Sequence, residues 1–192
     1  MDRTNHRSSN VVALAAVFTA AVVALGYVLL GFIPMALFAL GFLGGLLLWI
    51  FIPAEVPFAA IRVPYFLCLA LFVLHKLEER YLDFFPALSR LTGVPVPVEG
   101  SPLAILLYAF AGMWLLIPWL VGREHAFGYF LAWTFFASMG ITELVHFVFP
   151  FFTGGPYGYF PGMASVLPLA PIAWWGMWRL AFGRDFMRDR AA

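Results

Sequence analysis

Residues 59–82 read AAIRVPYFLCLALFVLHKLEERYL. No charged side chain occurs from Val63 to Leu74, and the run then takes in His75, Lys76, Glu78, Glu79 and Arg80 before it ends. A stretch this long and apolar crosses a bilayer as a helix, since about 20 residues rising 1.5 Å each span the hydrocarbon core. Ionisable groups in that core cost about 2.5–3.5 kcal/mol each on insertion scales. A cluster of them on one membrane helix therefore points to a site. Residues 126–149 repeat the arrangement: AFGYFLAWTFFASMGITELVHFVF carries Glu143 and His146 near its end.

The rest of the chain has the same character. Its 192 residues are 64% hydrophobic and 11% charged, with mean hydropathy +0.93. Soluble domains carry about 25% charged residues. The expected fold class is all-α: a polytopic transmembrane helix bundle of six helices, with five plus a re-entrant segment as the alternative. Spans are expected at about 11–32, 35–52, 59–82, 102–121, 126–149 and 163–182. They form a single transmembrane domain over 11–182, between a polar N-terminal tail (1–10) and a charged C-terminal tail (183–192).

Arg3 and Arg7 resemble the n-region of a signal peptide. The apolar stretch behind them is longer than an h-region of about 7–15 residues, so it reads as a retained signal anchor. Pro53 and Pro57 end the short second span, which makes it the candidate for re-entry. Gly41 and Gly45, four apart, suit close helix packing. The segment 83–101 reads as a loop, and 153–162 is too rich in glycine and proline for regular structure. Pro118, Pro168 and Pro171 predict distorted helices.

Net charge +1 gives a nucleic-acid partner no electrostatic support, and one cysteine, Cys68, excludes an intrachain disulfide. Six spans with both termini cytoplasmic place eight basic residues inside and leave Lys76, Arg80 and Arg90 outside. The positive-inside rule favours that topology.

Under it the third and fifth spans run parallel. His75 lies sixteen residues past the start of one and Glu143 seventeen past the start of the other. Both are then about 24–26 Å along their helices, in one layer of the outer membrane half. Glu78 and Glu79 flank His75 at spacings of three and four, and Glu143 and His146 are three apart. Glu-x-x-His is the spacing with which helical carboxylate proteins bring a carboxylate and an imidazole to one ion. Cys68 continues the face of His75, and Thr134, Ser138, Thr142 and His146 follow one another at steps of four. Ser138 and Thr142 are thus candidate pocket residues, although Ser and Thr also bond back to their own helix. Tyr157 and Tyr159, in the turn after His146, are candidate lid residues. Lys76, Glu79, Arg80 and Asp83 also read as an ordinary charged helix end.

The motif His75-Lys76-Leu77-Glu78-Glu79 resembles that of the HXXEE-domain family of small multi-pass bacterial membrane proteins. Glu143-x-x-His146 and Tyr159-Phe160-Pro161-Gly162 are similar to that family's second and third blocks, so the resemblance covers about 61–174. It implies that these residues act together. It implies no reaction, since the family is functionally uncharacterised.

Three chemistries are compatible with the residues. A membrane metalloenzyme, a hydrolase or oxidoreductase, would bind a divalent ion (Zn, Fe or Mn) through His75, Glu78, Glu79, Glu143 and His146. Glu79, Glu78 and His75 are its candidate catalytic residues, and its substrate is a lipid or another hydrophobic small molecule. A metal-free isomerase or cyclase of isoprenoid or sterol-like lipids would use the same groups as acids and bases. A proton-coupled transporter or ligand-binding protein would use them as a relay. Oligomeric state is not encoded in any feature of the chain.

Overall fold

The computed structural model describes residues 7–52, 54, 56–98 and 100–188, without the side chains of 184–188. Arg3, His6, Glu55, Glu99 and Arg190 lie outside the described residues, as do the side chains of Arg184 and Arg188. The fold is a bundle of seven helices with no strand among the described residues. They are α1 (Ser9–Leu30), α2 (Phe32–Phe51), α3 (Phe58–Tyr81), α4 (Phe84–Thr92), α5 (Pro102–Gly122), α6 (Ala126–Phe152) and α7 (Met163–Arg188). Helices α1, α2, α3, α5 and α6 are long and apolar enough to cross a membrane. Helix α7 has the length but includes Pro168, Pro171 and Arg179. Side chains such as Val17, Phe51 and Val28 stand two-thirds exposed or more on the bundle's outside, which suits a lipid solvent.

The second span, Phe32–Phe51, has the length and apolarity of a full crossing. Arg7, just before α1, donates from Nη1 to the carbonyl of Ile50 at 2.7 Å, at the far end of α2. The start of α1 and the end of α2 therefore meet, and the two helices run antiparallel. Tyr129 Oη, at the start of α6, donates to Val56 O at 3.0 Å and ties the same end together.

The interior is aromatic. Phe18 meets Phe42, Phe110, Phe127 and Phe130, and Trp114 stacks on Phe42 at 5.5 Å and 11°. Pro64 lacks the N–H that would bond the carbonyl of Ala60 four residues back. Arg179 of α7 supplies the missing donor, Nε to Ala60 O at 2.9 Å, and so fastens α7 to α3.

Gly45 lets α2 lie against α6. A Cβ there would sit 2.6 Å from Thr134 Cα and 2.8 Å from its N, both unyielding backbone atoms. Gly45→Ala should therefore cost about 1–3 kcal/mol, the usual range for overpacking. Gly44→Ala, with nothing within 4 Å, is the neutral control. Thermal unfolding in detergent reads the difference, and equal midpoints would contradict it.

Two expectations need correction. Residues 83–101 are not all loop, because α4 spans Phe84–Thr92. Phe84, Ala87, Leu88 and Leu91 recur at helical spacing and face the bundle, and Pro86 falls in the first turn, where the missing N–H has no partner to lose. Asp83, left-handed at φ 56°, turns the chain sharply out of α3. The other correction concerns α6, which is α-helical only to Ala137. It widens to a π turn at Ser138–Thr142 and tightens to 3-10 geometry at Glu143–Phe147. A second π turn, Ala39–Leu43 in α2, lies opposite. Gly41 makes room there, since its Cβ would collide with Ser138 Oγ. Such turns disturb the helical hydrogen-bond ladder. Thr142 Oγ1 donates to Leu37 O at 3.0 Å and Trp174 Nε1 to Gly140 O at 2.6 Å, supplying donors from neighbouring helices.

Candidate metal centre

The end of α3, the 3-10 segment of α6 and the start of α7 converge on four side chains. His75 and Glu79, four apart in a regular helix, share one face of α3. Glu143 and His146 share a face for a different reason. In 3-10 geometry residues three apart eclipse, so the carboxylate lies in line with the imidazole.

The four donors alternate around a ring. His75 Nε2 is 3.2 Å from Glu79 Oε1 and 3.2 Å from Glu143 Oε2. His146 Nε2 is 3.5 Å from Glu79 Oε1 and 3.3 Å from Glu143 Oε2. No two of the donor atoms are more than 4.8 Å apart. The side chains are 0% (His75), 1% (His146), 6% (Glu79) and 12% (Glu143) exposed, so water does not replace the ring's interactions.

The outer nitrogens decide the protonation. His146 Nδ1 lies 2.6 Å from Pro161 O, which only accepts, so Nδ1 carries the proton. Ser165 Oγ donates to Gly162 O at 3.2 Å and is therefore the acceptor for His75 Nδ1 at 2.9 Å. With Nδ1 protonated, each imidazole in its neutral form turns an Nε2 lone pair toward two carboxylate oxygens. Acceptor faces acceptor, and His75 Nε2 is buried without a hydrogen bond. A cation at the centre removes the conflict. The remaining carboxylate oxygens face Lys76, whose Nζ is 2.6 Å from Glu79 Oε2 and 4.0 Å from Glu143 Oε1.

Glu78 does not join the ring. It points to the other side of α3 and caps α7: Gly162 N and Ala164 N donate to its Oε1 at 3.0 and 3.1 Å, and Ser165 N to its Oε2 at 2.8 Å. The Tyr159 hydroxyl donates to the same carboxylate. Burial and the Glu78 carboxylate push that hydroxyl up to about 12, so it keeps its proton at neutral pH. Of the five expected ligands, the structure brings four together, with two of the three carboxylates, and sets Glu78 apart.

The pocket residues scatter. Cys68 is buried in the apolar core, and Ser138 Oγ is buried without a partner. Thr142 bonds Leu37, and Tyr157 Oη bonds Phe147 O at 3.2 Å. Thr134, Ser138 and Thr142 stay on one face, against Gly45, Gly41 and Leu37 of α2, whereas His146, beyond the π turn, faces the ring. Of the two tyrosines, Tyr159 reaches Glu78, a neighbour of the ring. Ser165, Pro161 and Gly162, which fix both imidazoles, have no metal-ligand chemistry of their own. Their only sequence signal is the Tyr159–Gly162 turn.

No protein-family model, curated protein or solved structure matches the chain.

Proposed function

We propose that this is a membrane-embedded metalloenzyme acting on a lipid or other hydrophobic small molecule. His75, Glu79, Glu143 and His146 hold one divalent transition-metal ion, Zn, Fe or Mn, which supplies Lewis-acid or redox chemistry when bound. The two imidazoles with committed Nδ1 protons, each facing two carboxylates, are the observation that supports this reading.

The distances favour an ion over protons. An imidazolium paired with a carboxylate closes to about 2.7–2.9 Å, whereas the four gaps here are 3.2–3.5 Å. Neighbouring ligands about 2.0–2.1 Å from one ion in tetrahedral array would be about 3.3–3.4 Å apart, as the four neighbouring gaps are; the spread of the four donors, within 4.8 Å, is wider than a tetrahedron's and makes the ring flatter. Acid–base catalysis without metal is therefore the weaker alternative. The resemblance to the HXXEE-domain family supports the joint action of the two motifs. The HXXEE end of the bundle is proposed to face outward, with both termini cytoplasmic.

Elemental analysis of tag-free protein in detergent tests the centre. About one equivalent of Zn, Fe or Mn per chain is expected, released at low pH as the ligands protonate. His75→Ala with His146→Ala should abolish it while the detergent-solubilised helix content stays unchanged. Folded wild-type protein from metal-replete cells with no bound metal would refute the proposal.

A further inference from the structure

The metal-centre reading leaves open how a substrate arrives and what kind it is. The ring is walled on three sides. Toward the end of the bundle, Phe84, Phe149 and Phe160 pack on His146 with ring centroids 5.0, 5.9 and 6.4 Å away. On the α7 side stands Gly162, where even a Cβ would strike both imidazoles. Toward the bundle's middle, Tyr65, Phe135 and Trp114 fill the space between α3, α5 and α6 in successive ring contacts.

The fourth side is different. It is formed by Lys76, whose side chain is 43% exposed, beside Glu143. Lys76 is the only lysine in the chain. Its Nζ lies 5.3 Å from the centroid of the Phe72 ring. The surroundings are apolar and open: Val73 and Leu77 on α3 and Leu106 on α5 are each more than two-fifths exposed. Lys76 stands five residues before the end of α3, about 7–8 Å below it at 1.5 Å per residue. With the end of α3 at the hydrocarbon boundary, a lysine stem at that depth carries its ammonium toward the headgroups.

An ammonium offers three donors. Glu79 Oε2 takes one at 2.6 Å, and Glu143 Oε1 at 4.0 Å is beyond hydrogen-bond reach. Two donors thus face the open side. We infer that Lys76 is the headgroup anchor of a lateral portal between α3 and α5, and that the substrate is a long-chain amphiphile with an anionic head. Its carboxylate or phosphate would take the free Lys76 donors, and its chain would lie along Phe72, Val73 and Leu106 toward the bilayer. The inference builds on the proposed centre, because only a reactive group beside Glu79 and Glu143 gives the portal a purpose. A water-soluble anion is disfavoured by the aromatic wall over His146.

A single lysine makes the test specific. Detergent-solubilised protein is titrated with palmitate, with lysophosphatidic acid and with a neutral alcohol of palmitate's chain length. Amine-reactive labelling of Lys76 is followed by peptide mass spectrometry. Anionic amphiphiles should bind about tenfold tighter than the alcohol and protect Lys76 from labelling. Preference for palmitate or for lysophosphatidic acid assigns the head as carboxylate or phosphate. Lys76→Gln should lose the preference and Lys76→Arg should keep it. Equal binding of the alcohol, labelling unaffected by either anion, or protection by inorganic phosphate alone would overturn the inference. The wild-type labelling stands even if a variant misfolds. Repeating it on chelator-treated protein separates the two ideas: protection with no metal ever found sinks the centre and keeps the portal, whereas bound metal without protection does the reverse.

Discussion

Gly162→Ala should empty the centre and destabilise the protein at once. The residue adopts φ +99°, outside the range an L side chain tolerates, and its Cβ would overlap Cε1 and Nδ1 of His146 and lie 2.9 Å from Cε1 of His75. Left-handed backbone costs a non-glycine residue about 1–2 kcal/mol, and overpacking adds about 1–3 kcal/mol. Neither imidazole can retreat, since Pro161 O and Ser165 Oγ hold their outer nitrogens and Phe84 backs His146. Metal content per chain should fall more than about tenfold, as displaced ligands lose coordination geometry, and the unfolding midpoint should drop. Gly158→Ala, in the same turn with only Pro156 O at 3.8 Å, should change neither. A Gly162→Ala protein with full metal content and wild-type stability would mean that the turn does not pack on the imidazoles.

The second large effect is expected at Glu78, which touches no ligand. Its carboxylate collects three backbone N–H groups at the start of α7, where the helix dipole favours a negative charge. Two of those groups belong to Gly162 and Ser165, in the turn that positions both imidazoles. Glu78→Gln removes the charge and turns an NH2 toward N–H donors. The loss should be about 2–4 kcal/mol, given about 1.5–3 kcal/mol for each hydrogen bond to a charged group and incomplete additivity. Metal affinity should weaken about 10–100-fold, the usual consequence of disturbing the residues that orient ligands. Chelator competition and thermal unfolding measure the two effects separately. Tyr159→Phe, removing one exposed donor to the same carboxylate, should have a much smaller effect on both. Unchanged affinity in Glu78→Gln would show that α7 holds the turn without its cap.

The helical bundle and the meeting of two motifs were legible because both rest on periodicity. Runs of apolar residues long enough for a bilayer mark α1, α2, α3, α5 and α6, and ionisable residues within such runs are expensive enough to mark a site. What stayed hidden depends on hydrogen bonding across the bundle. Glu78 and Glu79 are adjacent and chemically alike, yet one faces the ring and the other faces α7. Helical spacing allows both to flank His75, and only the position of α7 separates them. The phase of Glu143 and His146 was equally out of reach. It depends on a π turn held by the bond of Thr142 Oγ1 to Leu37 O on α2 and by that of Trp174 Nε1 on α7 to Gly140 O, contacts with residues far away in sequence. Helix α4 carries a readable pattern, Phe84, Ala87, Leu88 and Leu91, and Pro86 in its first turn does not interrupt it.

The passage from π to 3-10 geometry in α6 has a consequence for how the chain can vary. Each residue added to or removed from an α-helix swings everything beyond it by about 100°. The wide turn at Ser138–Thr142 and the tight one at Glu143–Phe147 together index the last two ligands against those of α3. Shortening that stretch by a single residue would swing Glu143 and His146 away from His75 and Glu79 with every side chain still present. Length, more than composition, is what this segment must conserve.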